Sequence, residues 1–176
     1  MSDRFRTDIL VAGLAGQGVL GLSSVLAEAA AKGGHAVAQT GIYGAAVRGG
    51  VALGSVIISD TEIDYPYVER ADILVALSVA SAHAASDRWQ RDGWLVLNAA
   101  DVPQWTSGAA DTTRFWGVPS ALVAEAQQVG TEAVTAVFAG AVLALLPPAL
   151  RAHCEVAEPL QRFVVAGQRQ AHAVVP

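Results

Sequence analysis

The stretch that most constrains this chain is Asp8–Gly21, D-I-L-V-A-G-L-A-G-Q-G-V-L-G. An apolar run from Ile9 to Ala12 stops at Gly13, and further glycines follow at Gly16, Gly18 and Gly21. A short apolar run closed by glycine reads as a buried strand. The Leu- and Ala-rich run Val19–Lys32, stopped by Gly33-Gly34, reads as a helix. Between them lies a Gly-rich turn that opens a helix N-terminus. Glycine has no Cβ, so backbone N–H groups in such a turn can approach an anion closely.

The alternation continues down the chain. His35–Thr40 is a second expected strand and Val51–Ser59 a third, with a turn at Asp60-Thr61-Glu62 and Ile63–Tyr67 pairing back on the same strand. Asp72–Leu77 repeats the apolar character of the first strand, Val79–Trp89 is expected to be helical, and Trp94–Leu97 is a strand closed by Asn98. Asp101–Asp111, with Pro103 and Gly108, reads as a loop, and Thr113–Trp116 as a short strand. Pro119 opens a helix to about Val129, since proline suits a first helical turn; Gly130 separates it from a second helix, Thr131–Leu146. A last helix is expected over Leu160–Gln170. Strands that are near-continuous apolar runs, alternating with helices, predict a three-layer α/β/α, Rossmann-like domain whose mostly parallel sheet is covered on both faces. No repeat, low-complexity segment or linker divides residues 1–176, so one domain is expected.

Composition narrows the function. Hydrophobic residues make up 53% and charged residues 15%, which leaves little charge to coat a free surface and implies a partner over some of it. The net charge of −5 argues against nucleic acid or an anionic membrane as partner. The one cysteine, Cys154, excludes an intrachain disulfide framework and a Cys-ligated cluster within this chain, and suits a reducing, cytoplasmic setting. The segment M-S-D-R-F-R-T-D has no signal-peptide h-region, and the apolar run Ala133–Leu146 is too short for a bilayer span. His35, His83, His153 and His172 lack metal-ligand spacing, so no metal site is expected.

Two loops carry the functional signal. The first contains a formal G-x-G-x-x-G match at Gly16, Gly18 and Gly21 after a strand, the context of a dinucleotide site. The second strand, however, ends in Gln39, Thr40 and Gly41, with no acid for the ribose hydroxyls. Three readings stand: a dinucleotide site, a turn needing small residues for close packing, or a site for another anionic group. The second loop, Gly41–Gly50 (G-I-Y-G-A-A-V-R-G-G), is richer in glycine than a connector needs. Its Arg48 is the only charged side chain between His35 and Asp60, a candidate clamp for carboxylate or phosphate, and solvated arginine is the plain alternative. Following the second strand, the loop is expected beside the first turn at the carboxyl edge of the sheet, where ligands bind in this architecture. Ser78 suits either a ligand contact or a helix cap. Trp89, Trp94, Trp105 and Trp116 read as core or interface anchors. No Ser-His-Asp order, zinc motif or Walker lysine is present, and no catalytic residue is assigned.

The pattern V-A-G-L-A-G-Q-G-V-L (Val11–Leu20), the loop Gly41–Gly50 and the strand after it resemble the gamma subunit, or gamma domain, of 2-oxoacid:ferredoxin oxidoreductases. The family includes the pyruvate, 2-oxoglutarate, ketoisovalerate, indolepyruvate and phenylglyoxylate enzymes. The likeness runs over roughly Asp8–Leu97 and, more weakly, Pro119–Leu146; Ala15 replaces a usual glycine, and Ile42 stands where Ser or Thr often precedes Tyr-Gly. The resemblance implies a subunit that is not catalytic alone. Alpha and beta subunits would hold thiamine diphosphate with Mg, an iron–sulfur subunit would carry clusters, and ferredoxin or an NAD-linked chain would accept electrons. Coenzyme A is the usual acyl acceptor. Carried over by position, Gly16, Gln17 and Gly18 would face the shared cavity, and Tyr43, Arg48, Gly49 and Gly50 would line it, helping to shape the coenzyme A approach. The competing reading is a free-standing nucleotide- or dinucleotide-binding module.

Overall fold

In the computed structural model, which describes residues 5–42, 50–106, 114–151, 153, 156, 158 and 160–174, the first strand, β1 (Arg6–Leu14), lies inside the molecule. Ile9 and Val11 enter one core cluster and Leu10 and Ala12 the other, all at most 1% exposed. A strand buried on both faces has no polar side to display, so it reads as an unbroken apolar run.

The elements that follow are α1 (Val19–Lys32), β2 (Ala36–Ile42), β3 (Val51–Ser59), β4 (Ala71–Ala76), α2 (Val79–Ala85), β5 (Trp89–Asn98), α3 (Val102–Thr106), β6 (Arg114–Val118), α4 (Ser120–Val129), α5 (Thr131–Leu145), α6 (Pro148–Arg151), α7 (Gln161–Gln170) and β7 (His172–Val174). The seven strands form one sheet in the order β2-β3-β1-β4-β5-β6-β7. β1, β4, β5 and β6 pair in parallel, while β3 is antiparallel to both β1 and β2, and β7 to β6. Five of the seven strands therefore point one way, and β3 and β7 are reversed. Helices α1, α4, α5 and α7 contribute to the core on one face, α2 and α3 to that on the other. This is the expected three-layer α/β/α arrangement.

Four expectations need correction. Ile63–Tyr67 does not pair back on β3: β1 and β2 occupy both edges of that strand, and residues 62–70 contain no strand. The turn before it closes on the Ser59 hydroxyl, which accepts from the Thr61 N–H at 3.1 Å. The helix expected to Trp89 ends at Ala85, followed by a 3₁₀ turn over Ser86–Arg88, and β5 starts at Trp89 rather than Trp94. The expected loop after Asp101 begins instead with α3, where Pro103 sits in the first turn and lacks only a donor the turn does not use. After α5 the chain adds α6 and β7, for which the residues gave no clear pattern.

The α5 helix is buried nearly all round, with ten of its fifteen residues inside. It touches α7 through reciprocal glycines. A Cβ on Gly140 would meet the backbone carbonyl of Val164, and one on Gly167 the backbone carbonyl of Val137. No rotamer change relieves a clash with backbone, so Gly140→Ala is expected to cost at least about 2 kcal/mol. Gly21 in α1 is the contrast: its added Cβ would meet only Thr135, at 3.8 Å. Gly21→Ala should be neutral or stabilising by up to about 1 kcal/mol. Urea midpoints of the two variants, moving in opposite directions, check this.

At the amino edge of the sheet, the half-buried Asp72 carboxylate accepts the Asp8 N–H at 2.8 Å and the Gln90 amide at 2.9 Å. Burial pushes its pKa up, against the lowering effect of the Asp8 N–H, and the Asp8 and Asp92 carboxylates add to the rise. The folded pKa thus lies above the unfolded one, near the ordinary value of about 4. As pH rises between the two, the unfolded chain releases its proton first and is favoured. Asp72→Asn removes that dependence, so its stability relative to the wild type should increase as pH is raised from about 4 toward neutral, read from urea midpoints across pH.

Candidate functional site

The Gly-rich turn sits where β1 ends beside β4. The chain leaves β1 through α1 on one face and leaves β4 through α2 on the other, which creates a crevice at the carboxyl ends of these strands. The turn is closed twice by one residue. The Gln17 N–H donates to the Leu14 carbonyl at 3.1 Å, and the Gln17 side-chain oxygen accepts the Leu14 N–H at 2.6 Å. Gly16 (φ 85°) and Gly18 (φ 86°) are both left-handed, a conformation that explains glycine at these two positions. Gly18 is also the N-cap of α1, and its missing Cβ lets α5 approach: an added Cβ would meet Thr135 Oγ1 at 2.5 Å and Thr131 Cγ2 at 2.9 Å.

Two clefts flank this turn. One, of about 440 Å³, carries the hydrogen-bonding side chains of Gln17, Asn98, Asp101, Gln127 and Thr131 over a floor that includes Leu77 and Phe138. The other, of about 650 Å³, is mostly apolar and includes Leu14, Leu20, Gly50 and Val51. Gly16 and Thr131 line both. Leu14 and Leu20 are 39% and 44% exposed, so the second cleft opens onto an apolar surface.

Gly16, Gln17, Gly18 and Gly50 are thus brought together, as the sequence suggested, but for a different reason. Gly50 reaches the first turn because β3 pairs with β2 and lies directly against β1, with Val51 opposite Leu14. Tyr43, Arg48 and Gly49 lie outside the described residues. The same β3 weakens the dinucleotide reading. In that fold the strand carrying the ribose-binding acid neighbours β1; here β2 is one strand away.

Sequence reasoning missed Asn98, Asp101, Gln127 and Thr131. Asn98 gave a signal, as a polar residue closing a parallel strand. Its side-chain oxygen accepts from Ser120 Oγ at 2.7 Å and from the Ala100 N–H at 3.1 Å, which fixes the cleft wall. Ser78 proves to be a cap, exchanging hydrogen bonds with Ser81 at the start of α2. His35 pairs with Asp60 at 2.8 Å and His83 stacks on Trp105. Trp89 and Trp105 are buried, and Trp94 meets Trp116 edge to face. No helix among the described residues is long and apolar enough to cross a membrane.

Residues 8–163 match the pyruvate ferredoxin/flavodoxin oxidoreductase family. The chain belongs to this family. The 2-oxoglutarate synthase subunit KorC of Methanothermobacter thermautotrophicus is 44% identical over 95 residues, 53% of this chain and 50% of that protein. The ketoisovalerate oxidoreductase subunit VorA of the same organism is 33% identical over 78% of this chain and 28% of its own length. These alignments take in half or less of the relatives' lengths. In fold, the family member is similar to the gamma subunit of a keto/oxoacid ferredoxin oxidoreductase from Geobacter sulfurreducens, with TM-score 0.67, 23% identity and coverage of 92% and 94% of the two chains. It is similar too to part of the 2-oxoglutarate:ferredoxin oxidoreductase of Magnetococcus marinus, with TM-score 0.69, 18% identity and coverage of 93% of this chain and 30% of that one.

With β3 placed between β1 and β2, calorimetric titration of the isolated family member with NAD(H), NADP(H), FAD or ATP should give no binding heat at ligand concentrations up to about 1 mM, a free energy near −4 kcal/mol. Saturable heat from any of them would restore the nucleotide-module reading.

Proposed function

We propose that this chain is the gamma subunit of a 2-oxoacid oxidoreductase and closes a cavity completed by other chains. The observation that carries the reading is the nearness of Gly50 to the first Gly-rich turn at the carboxyl edge of the sheet, where Gly16 and Thr131 join the two clefts. Support comes from the family, from gamma-subunit and oxoacid-oxidoreductase folds, and from the exposed apolar rim at Leu14 and Leu20, which suits burial against a partner. The Magnetococcus enzyme is described with 2-oxoglutarate, coenzyme A and succinyl-CoA bound.

In this reading thiamine diphosphate, its Mg and the iron–sulfur clusters belong to the alpha, beta and iron–sulfur subunits, and supply decarboxylation and one-electron transfer. The final acceptor is ferredoxin or an NAD-linked chain. The setting is cytoplasmic. This chain's residues shape and close the space. The polar cleft offers amide, hydroxyl and carboxylate groups to a hydrogen-bonding ligand such as coenzyme A, and the apolar cleft excludes water. Among the described residues neither cleft is lined by Lys or Arg. The reading assigns the positive charge for a diphosphate to Arg48, with Tyr43, Gly49 and Gly50 beside it in sequence. Side chains that select among 2-oxoacids sit mainly on the other subunits.

Arg48→Ala in the purified complex tests this. A lost charge-assisted hydrogen bond is worth about 1.5–3 kcal/mol, so KM for coenzyme A should rise roughly 10- to 100-fold with KM for the 2-oxoacid unchanged. Unchanged coenzyme A dependence would remove Arg48 from the site. A complex lacking any thiamine-binding chain would overturn the subunit assignment.

A further inference from the structure

The segment from β3 to β4 runs along the amino edge of the sheet, a β1 length of roughly 25 Å from the Gly-rich turn. It is pinned by Val68, 2% exposed, whose carbonyl accepts from Arg88 at 2.8 Å, and by the partly buried Ile63. Between these anchors Tyr65-Pro66-Tyr67 stands outward. Tyr65 and Tyr67 are 54% and 57% exposed, and their rings meet edge to face at 5.3 Å. With Arg6, Asp8, Glu69 and Arg70 they line a cleft of about 480 Å³. Two aromatic rings held by a proline and by each other lose little freedom on burial, the property that makes tyrosine an interface anchor.

Charge decides the kind of partner. Residues 60–70 carry four acids, Asp60, Glu62, Asp64 and Glu69, against Arg70 alone. Arg6 faces Asp8 at 2.9 Å and also attracts Asp72, and Asp60 pairs with His35 at 2.8 Å, so Glu62, Asp64 and Glu69 stand against Arg70. A second copy of the chain would bring the same acidic rim against this one, and like charges across an interface are costly. We propose that Tyr65 and Tyr67 form an anchor for a different protein chain, one presenting a slot for the two rings inside a Lys- and Arg-rich rim. The proposal rests on the reading above only in that the chain works within an assembly; the surface lies at the opposite edge from the candidate site.

The test uses the complex purified from its own cells. Tyrosine acetylation with N-acetylimidazole, located by mass spectrometry, is compared between the complex and the isolated chain. Both rings should react at least about tenfold more slowly in the complex. A photo-cross-linking benzoylphenylalanine at position 67 should join to a Lys- and Arg-rich peptide of another chain. The double variant Tyr65→Ser/Tyr67→Ser should weaken retention of that chain about 30-fold or more, with the variant's own thermal midpoint unchanged because both rings are more than half exposed. Tyr65→Phe/Tyr67→Phe should restore most of it. Equal labelling in complex and isolated chain, a cross-link to a second copy, or a cross-linked peptide without net positive charge overturns the proposal. An intact oxidoreductase complex with freely labelled rings sinks this inference alone. Protected rings beside a partner unrelated to oxidoreductases would sustain it and sink the subunit assignment.

Discussion

The approach of α5 to Gly18 is the contact on which the candidate site depends. Thr131 and Thr135 occupy the space that a side chain at residue 18 would need. That one missing Cβ lets the N-terminus of α5 lie against the N-terminus of α1, both capped by glycine without a side-chain hydrogen bond. Thr131 can then line both clefts opposite Gly16. A bulkier residue would push α5 outward, and with it α7, which is locked to α5 backbone to backbone. The site and the packing of one whole face share a single tolerance.

The reversed strand β3 sets the second half of the site. A parallel strand needs a long crossover, but a hairpin needs only a loop. By returning directly from β2 and inserting beside β1, β3 brings Gly50 to the Gly-rich turn and separates β2 from β1. The same geometry that brings Gly50 to the turn takes the dinucleotide arrangement apart. Glycines that look like a nucleotide motif serve here a left-handed turn, a helix contact and a cleft wall.

Much of this was legible in the residues. β1, α1, β3 and α5 follow from apolar runs and glycine stops; that Gly50 would lie near the first Gly-rich turn was expected, but from a doubly wound order and not from the return of β3 beside β1. The direction of β3 was not legible, because a strand buried on both faces has the same composition whichever way it runs. The start of β5 was hidden by Gln90, Arg91 and Asp92, which sit over an irregular register beside β4. The polar cleft was hidden for another reason. Asn98, Gln127 and Thr131 come from different elements and meet only after the sheet order is known.

The order of synthesis gives the α5–α7 contact a further meaning. α5 is strongly apolar, yet α7, which covers its glycine face, leaves the ribosome later. For that interval the side of this fifteen-residue apolar helix that α7 later covers, marked by Val137 and Gly140, lies open. Chain release or stalling before Gln161 would strand that surface in the open, where hydrophobic association competes with folding. Chaperone demand should therefore concentrate on the late stage of translation, after most of the sheet has formed.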